Sequence, residues 1–530
     1  VGGLAALCAL YATAHLSHLD PRRLSSTEGL RSVADLLHGF LKPDLSADFL
    51  LRVLTLMGES FAIGFVGLAL ALVIGVPLSL VAARLPQLCD GPRPRSWRGI
   101  VALGVRPAAR GFLSILRSVP EIIWAFLFVR ILGLGPGPAV LAIGLTFGGI
   151  IGKLFSELIE SCPPEAGRSL RAAGTSPLGV ALYGVLPQIR HQWVGYALFR
   201  LECAIRSASI LGVVGAGGIG AEIDLSIRYF QYDKLATALL AVLACVVVLE
   251  LLSLVLRRRH AGISAGFLVS GTVMGLMSLH VGWERLISPH ALTQLLTFVG
   301  AFAHPQWDTP FLLDVTFQMM ETVCMATAGT SLAAVIAFML APLATRQLSL
   351  SGYLRHSPSL KGARTRLSGG LLLTAARALF QITRALPELV WALLFVMWVG
   401  PGPMAGTLAI AAHTVGVLGR LFGEVYEDIE PSLPQAVEGR GASRVAVWGY
   451  GVLPQALRSL QSYTLFRFEV NIRSTAMVGF VGAGGIGNSI HTAISLFHFR
   501  ELASMLLILM MTVVLVDTLS GALRRRLLQR

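Results

Sequence analysis

The sequence predicts an all-α membrane protein of about twelve transmembrane helices, laid out as two parallel six-helix repeats. Three observations predict it. Of 530 residues, 54% are hydrophobic and only 14% charged, with a mean hydropathy of +0.71. Apolar stretches near the roughly 20 residues that cross about 30 Å of hydrocarbon recur along the whole chain. The second half repeats the first at a spacing of 267 residues, since RSVPEIIWAFLFV begins at 117 and RALPELVWALLFV at 384. Disordered, collagen-like and disulfide-scaffold classes are excluded by the apolar content and the sparse cysteines. Cys8, Cys89, Cys162, Cys203, Cys245 and Cys324 show no CxxC spacing and read as small core residues, so no metal site is expected.

The first repeat, residues 1–260, holds candidate spans at 1–19, 53–83, 112–132, 138–158, 192–214 and 234–256. The second, residues 261–530, holds them at 264–283, 315–345, 379–399, 403–422, 460–481 and 502–523. The 31-residue stretches contain a span plus an interfacial extension. The first stretch lacks a basic leader and a small-residue cleavage site, so it reads as a span and not a removable signal. Segments 84–117 and 346–384 carry seven Arg/Lys each against one acid and none, which places both in the cytoplasm. The runs Arg257–Arg259 and Arg524–Arg526 then also lie inside, and both termini are expected there. The formal charge of +14 would suit a nucleic-acid binder, but the cations sit between apolar spans, so lipid and not nucleic acid is the expected surrounding.

YGVLPQ at 183 and 450, and GVVGAGGIG at 212 against GFVGAGGIG at 479, keep the same spacing, with a two-residue slip expected near Gly135 and Gly400. Six spans separate equivalent positions, so both copies enter the membrane alike, and a solute path would follow a pseudo-two-fold axis along the membrane normal.

The fifth spans carry Arg200, Glu202 and Arg206, and Arg467, Glu469 and Arg473. Unpaired charges at membrane depth cost about 2.5–3.5 kcal/mol each, so these are pathway candidates. Glu202 with Arg206 and Glu469 with Arg473 have the favourable i,i+4 order, and a purely structural pair is the alternative. Glu121 and Glu388 follow prolines, while Lys153 and Arg420 precede Glu157 and Glu424 by four residues; capping and pairing between spans account for these. GAGGIG supplies Gly215, Gly217, Gly218 and Gly220, and Gly482, Gly484, Gly485 and Gly487. It satisfies a dinucleotide fingerprint but ends a membrane-length helix in place of a strand, so tight packing at the outer mouth is expected. No Walker phosphate loop, HExxH or GxSxG occurs, and no catalytic residue is expected in this chain. In the loop between spans four and five, Gly174 precedes Leu186-Pro187 and Gly441 precedes Leu453-Pro454, which predicts a short helix, a glycine turn, a second helix and a proline stop.

That duplicated loop resembles the signature of bacterial ABC importer permeases, E-A-A, three residues, Gly, nine residues, Ile, one residue, Leu-Pro. The Glu position is here Arg168 or Gln435, and the Ile position Gly184 or Gly451. PELVWALLFV, GVLGRLFGEVYE, GYGVLPQ, SYTLFRFEVNIRS and VGFVGAGGIG look like the permeases for phosphonate, phosphite and hypophosphite, over roughly 100–260 and 380–530. The second copy is the closer match, with Asn471 and His413 where the first has Ala204 and Phe147. The resemblance implies a type I ABC importer permease with both halves in one chain. It implies two cytoplasmic ATPase subunits on the coupling loops, with ATP and Mg bound there and no cofactor in this chain, and an extracytoplasmic binding protein. The expected solute is phosphonate or a related phosphorus oxyanion. A 6+6 secondary transporter of a small anion and a non-transporting scaffold are the rival classes.

Overall fold

The computed structural model describes residues 21–24, 26–83, 97–163, 165–176, 179–257, 261–279, 281, 282, 284, 288–353 and 363–529. The first candidate span and Cys8, Cys89, Arg258 and Arg259 lie outside these. Every regular element among the described residues is helical. In chain order the helices are α1 Thr27–Leu41, α2 Ala47–Ala82, α3 Trp97–Ser118, α4 Glu121–Leu132, α5 Pro136–Glu160, α6 Glu165–Ala172, α7 Leu186–Leu211, α8 Ile219–Arg228, α9 Tyr232–Arg257 and α10 Ala261–Ser278. There follow α11 Pro289–Ala301, α12 Thr309–Ala344, α13 Ala363–Ala385, α14 Glu388–Val399, α15 Pro403–Glu427, α16 Ser432–Gly439, α17 Leu453–Val478, α18 Ile486–Ser495 and α19 Phe499–Gln529.

Seven helices among the described residues are long and apolar enough to cross a bilayer, or up to ten if each bent pair is one span. The protein is multi-pass. Two features separate this from the sequence expectation. α17 carries Arg458, Arg467, Glu469 and Arg473 and is absent from those helices and pairs, while α7 passes only together with α8. The third spans are not continuous helices: α3 turns into α4 through 82°, and α13 into α14 through 93°. Pro120 and Pro387 are the cause, because proline disfavours helical backbone in the residue before it and brings no N–H of its own. Twelve-residue α4 and α14 rise only about 18 Å each and do not cross alone.

Contacts divide the chain into two compact units, residues 36–305 with 493–506, and residues 1–35 with 306–492 and 507–530. In the first, α2 packs on α5 through small residues: a Cβ on Gly75 would stand 2.8 Å from Gly148 O, and one on Gly67 2.9 Å from Ile143 Cγ2. Without a hydrophobic drive between helices in lipid, such close approach supplies the dispersion contacts that hold them. Phe298 of α11 meets Phe499 at 5.9 Å between ring centroids, so part of α19 belongs to this unit. In the second unit α12 packs on α15 in the same manner, a Cβ on Gly329 standing 2.9 Å from Thr407 O. Arg377 ties the broken helix to both neighbours, donating to Ala344 O at 2.9 Å and to Glu427 at 2.7 Å; Arg110 does the same with Ala82 O and Glu160.

The two-residue slip expected near Gly135 and Gly400 is absent. Gly133 and Gly400 have φ of 89° and 82°, Gly135 and Gly402 both 134°, so the 267-residue spacing holds through the turn. Thr146, not Phe147, is therefore the counterpart of His413: Thr146 faces Val119 O at 3.5 Å, and His413 Nδ1 faces Leu386 O at 2.9 Å. Phe147 corresponds to Thr414.

Candidate functional site

The intramembrane charges pair differently from the i,i+4 expectation. Glu202 accepts from Arg257 at 2.9 Å and Glu469 from Arg524 at 2.7 Å, the same long-range choice in both units. The reason lies in packing: the last turns of α9 and α19 bring each guanidinium beside the fifth span, where it also stacks over Phe199 or Phe466. Each glutamate thus has a cation besides the arginine four residues on. The Nε atoms of both are buried, and that of Arg206 has no hydrogen-bond acceptor among the described residues. Arg200 is held otherwise, donating to Tyr196 Oη at 2.7 Å and lying 5.0–5.6 Å from the rings of Tyr196, Phe147 and Phe199. Arg467 instead acts electrostatically on Glu388.

The glutamates after the helix breaks bind the fifth spans. Ser207 donates to Glu121 at 2.8 Å and Ser474 to Glu388 at 2.5 Å. Sequence reasoning missed these serines, although their 267-residue spacing was available as a signal. The second unit adds His413, 3.6 Å from Glu388, and Asn471, whose amide donates to Thr330 at 2.7 Å and Thr414 at 3.0 Å. At the positions of Asn471, Thr414 and Thr330 the first unit has buried apolar Ala204, Phe147 and Ile63. Lys153–Glu157 and Arg420–Glu424 pair within one helix, at 3.9 and 2.7 Å.

The glycine loops are structural turns. Gly215, Gly217, Gly218, Gly482, Gly484 and Gly485 all have φ between 73° and 86°, where a Cβ is penalised. Gly220 and Gly487 serve close approach instead, since a Cβ there would strike Ser209 O or Ala476 O. Three amides of these loops bond the second spans: Ile219 N donates to Ser60 Oγ at 3.0 Å, Ile486 N to Thr322 Oγ1 at 2.9 Å and Gly485 N to Glu321 at 3.3 Å.

In the coupling loops the glycine turns are as expected, with φ of 82° at Gly174 and 78° at Gly441. The proline stop is not. Pro187 and Pro454 sit in the first turns of α7 and α17, where a missing N–H costs nothing, and a π-helix at Val180–Val185 or Val447–Val452 runs directly into them after Leu186 or Leu453 begins the helix. Gly184 and Gly451 occupy the signature's Ile position because the short helices press on them. A Cβ on Gly451 would stand 2.9 Å from Pro434 Cα, and one on Gly184 3.1 Å from Leu170 Cδ1. The second loop is also strapped from behind: buried Glu438 of α16 accepts from Tyr353 N at 2.7 Å, and Gln435 donates to Tyr353 O at 3.3 Å. Burial and the Glu427 and Glu438 carboxylates push the Tyr353 phenol up to about 12.

Residues 104–262 and 362–530 match the family model described as binding-protein-dependent transport system inner membrane component. The chain is 30% identical to the phosphate-import permease protein PhnE of Mycolicibacterium smegmatis over 514 residues, 94% of this chain and 90% of that one. It is 38% identical to the phosphite transport system permease protein PtxC of Stutzerimonas stutzeri over 43% of this chain and 78% of that one. Over 22% of its length it is 44% identical to the putative cryptic phosphonate transport system permease protein PhnE2 of Escherichia coli, covering 97% of that chain.

Proposed function

The chain belongs to the family of binding-protein-dependent transport system inner membrane components, and from that premise we propose that it is the permease of an ATP-driven importer for phosphate, phosphonate or phosphite. Residues 1–260 and 261–530 act as its two permease halves. The single observation that carries the reading is the duplicated coupling loop, a short helix, a left-handed glycine and a π-turn feeding the charged fifth span, kept in both copies. The family matches over both copies and a relative matching 94% of the chain support one polypeptide supplying both halves.

ATP and Mg bind and react in two separate cytoplasmic ATPase subunits docked on α6 and α16, an extracytoplasmic binding protein delivers solute, and this chain holds no cofactor. Both termini are cytoplasmic in a bacterial cell membrane. ATPase closure pushes the coupling helices, and because the π-turn is continuous with α7 and α17, the push travels along the helices that carry Arg206 and Arg473. These guanidiniums lower the barrier for a tetrahedral oxyanion in a low-dielectric passage. Selectivity resides largely in the binding protein.

Proteoliposomes holding the chain, with ATPase subunits and MgATP on the loop side and binding protein plus labelled phosphate or phosphonate on the other, test this. Uptake is expected only with ATP and binding protein. Uptake driven by a proton or sodium gradient without ATPase would establish a secondary transporter instead.

A further inference from the structure

Tyr183 and Tyr450 stand 76% and 75% exposed at the same place in the two units, on the π-turns Val180–Val185 and Val447–Val452. Their neighbours Val180, Val185, Val447 and Val452 are buried, so the turn packs its valines inward and holds one phenol out. Gln188 and Gln455 donate back to Gly184 O at 2.6 Å and Gly451 O at 2.8 Å, which fixes the turn just beyond each ring. A π-turn has poorer hydrogen bonding than an α-helix and recurs at functional sites.

The surrounding surface has diverged. Exposed Arg168 and Arg171 of α6 become exposed Gln435 and buried Glu438 in α16, and Leu182 beside the first tyrosine becomes Gly449. One kind of ATPase surface therefore finds no common charge on the two short helices. On the π-turns, the large exposed side chain that both loops share is the tyrosine. A tyrosine offers a large rigid contact at small conformational cost, with a polar tip, which is why it recurs among the residues that dominate interfaces.

We propose that Tyr183 and Tyr450 are the anchors of the two coupling loops, each inserting its ring into an apolar pocket of an ATPase subunit. This rests on the reading of these loops as the ATPase contact.

The full chain is co-expressed with its ATPase subunit, with p-benzoylphenylalanine placed at 183 or 450, and in parallel at exposed positions Ser169 and Ala436 of the short helices. Illumination is expected to join both tyrosine positions to the ATPase. Tyr183→Ala with Tyr450→Ala is expected to lower ATPase co-purification about tenfold or more, while the Tyr→Phe pair retains most of it. Membrane insertion of the variants, followed by size-exclusion profile, is expected to be normal. Adducts at 169 and 436 with none at 183 and 450, adducts to lipid at the tyrosines, or full ATPase retention by the double alanine variant would each overturn the anchors and leave the coupling loops in place. No ATPase adduct at any of the four positions would overturn the loop assignment as well.

Discussion

Glu202 and Glu469 each bond an arginine 55 residues away in the chain, and this moves the expected effects of mutation. Arg524→Gln takes from Glu469, whose side chain is 7% exposed, the cation bonded to it at 2.7 Å. A loss of about 3–5 kcal/mol is expected, read as a lower unfolding temperature, and Glu469→Gln in the same chain should restore most of it. Arg257→Gln should cost less, because Glu202 and Arg257 are 16% and 36% exposed. Arg206→Gln and Arg473→Gln, by contrast, are expected to leave folding and ATPase assembly intact while cutting phosphate uptake by proteoliposomes about tenfold or more, since Glu202 and Glu469 keep Arg257 and Arg524 as partners. Normal uptake by both variants would remove these arginines from the pathway. Asn471→Ala makes the second unit resemble the first at this position but leaves the Thr330 and Thr414 hydroxyls short of a partner, and about 1–3 kcal/mol of stability is expected to go with it in thermal unfolding.

The coupling element turns on two glycines. Gly174 and Gly441 have open space around the position of a Cβ, so a side chain there meets no wall and the penalty is the left-handed backbone alone, about 1–2 kcal/mol each. That is too little to unfold the protein and enough to shift a turn. Gly174→Val with Gly441→Val is accordingly expected to assemble with the ATPase and hydrolyse ATP without solute uptake; unchanged uptake would refute a coupling role. The single variants should differ, because the second loop is pinned to Tyr353 through Glu438 and Gln435, whereas the first has Arg171 and Arg168 in those places. The broken third spans are legible in the same way. The prolines and the glutamates after them were in view in the sequence, but a hydropathy window averages across a bend and reads one span where α3 and α4, or α13 and α14, make a corner.

Across the whole molecule, the basic segments predict the orientation. A reporter active only outside the cytoplasm is expected to be silent when fused after Arg530 and active when inserted in the turn at Tyr229–Gln231; the reverse pattern would invert the topology. The contact units do not coincide with the sequence repeat: α10 and α11 fall in the unit of residues 36–305, and residues 493–506 join it from the far end of the chain. Period is a property of descent, whereas a compact unit is set by which apolar faces meet.

The sequence by itself determined that this is a membrane protein built of two like-oriented repeats, where the charged fifth spans and coupling loops lie, and which family it resembles. These are properties of composition, spacing and recurrence, which survive without coordinates. Tertiary structure decided that Arg257 and Arg524 bond the fifth-span glutamates, that the leucine-proline pairs begin helices and do not end them, that Thr146 is the counterpart of His413, and that the amides of Ile219, Gly485 and Ile486 are bonded to the second spans. Each depends on groups far apart in the chain meeting within about 3 Å, and a one-dimensional pattern carries the candidates for such a meeting without the geometry that selects among them.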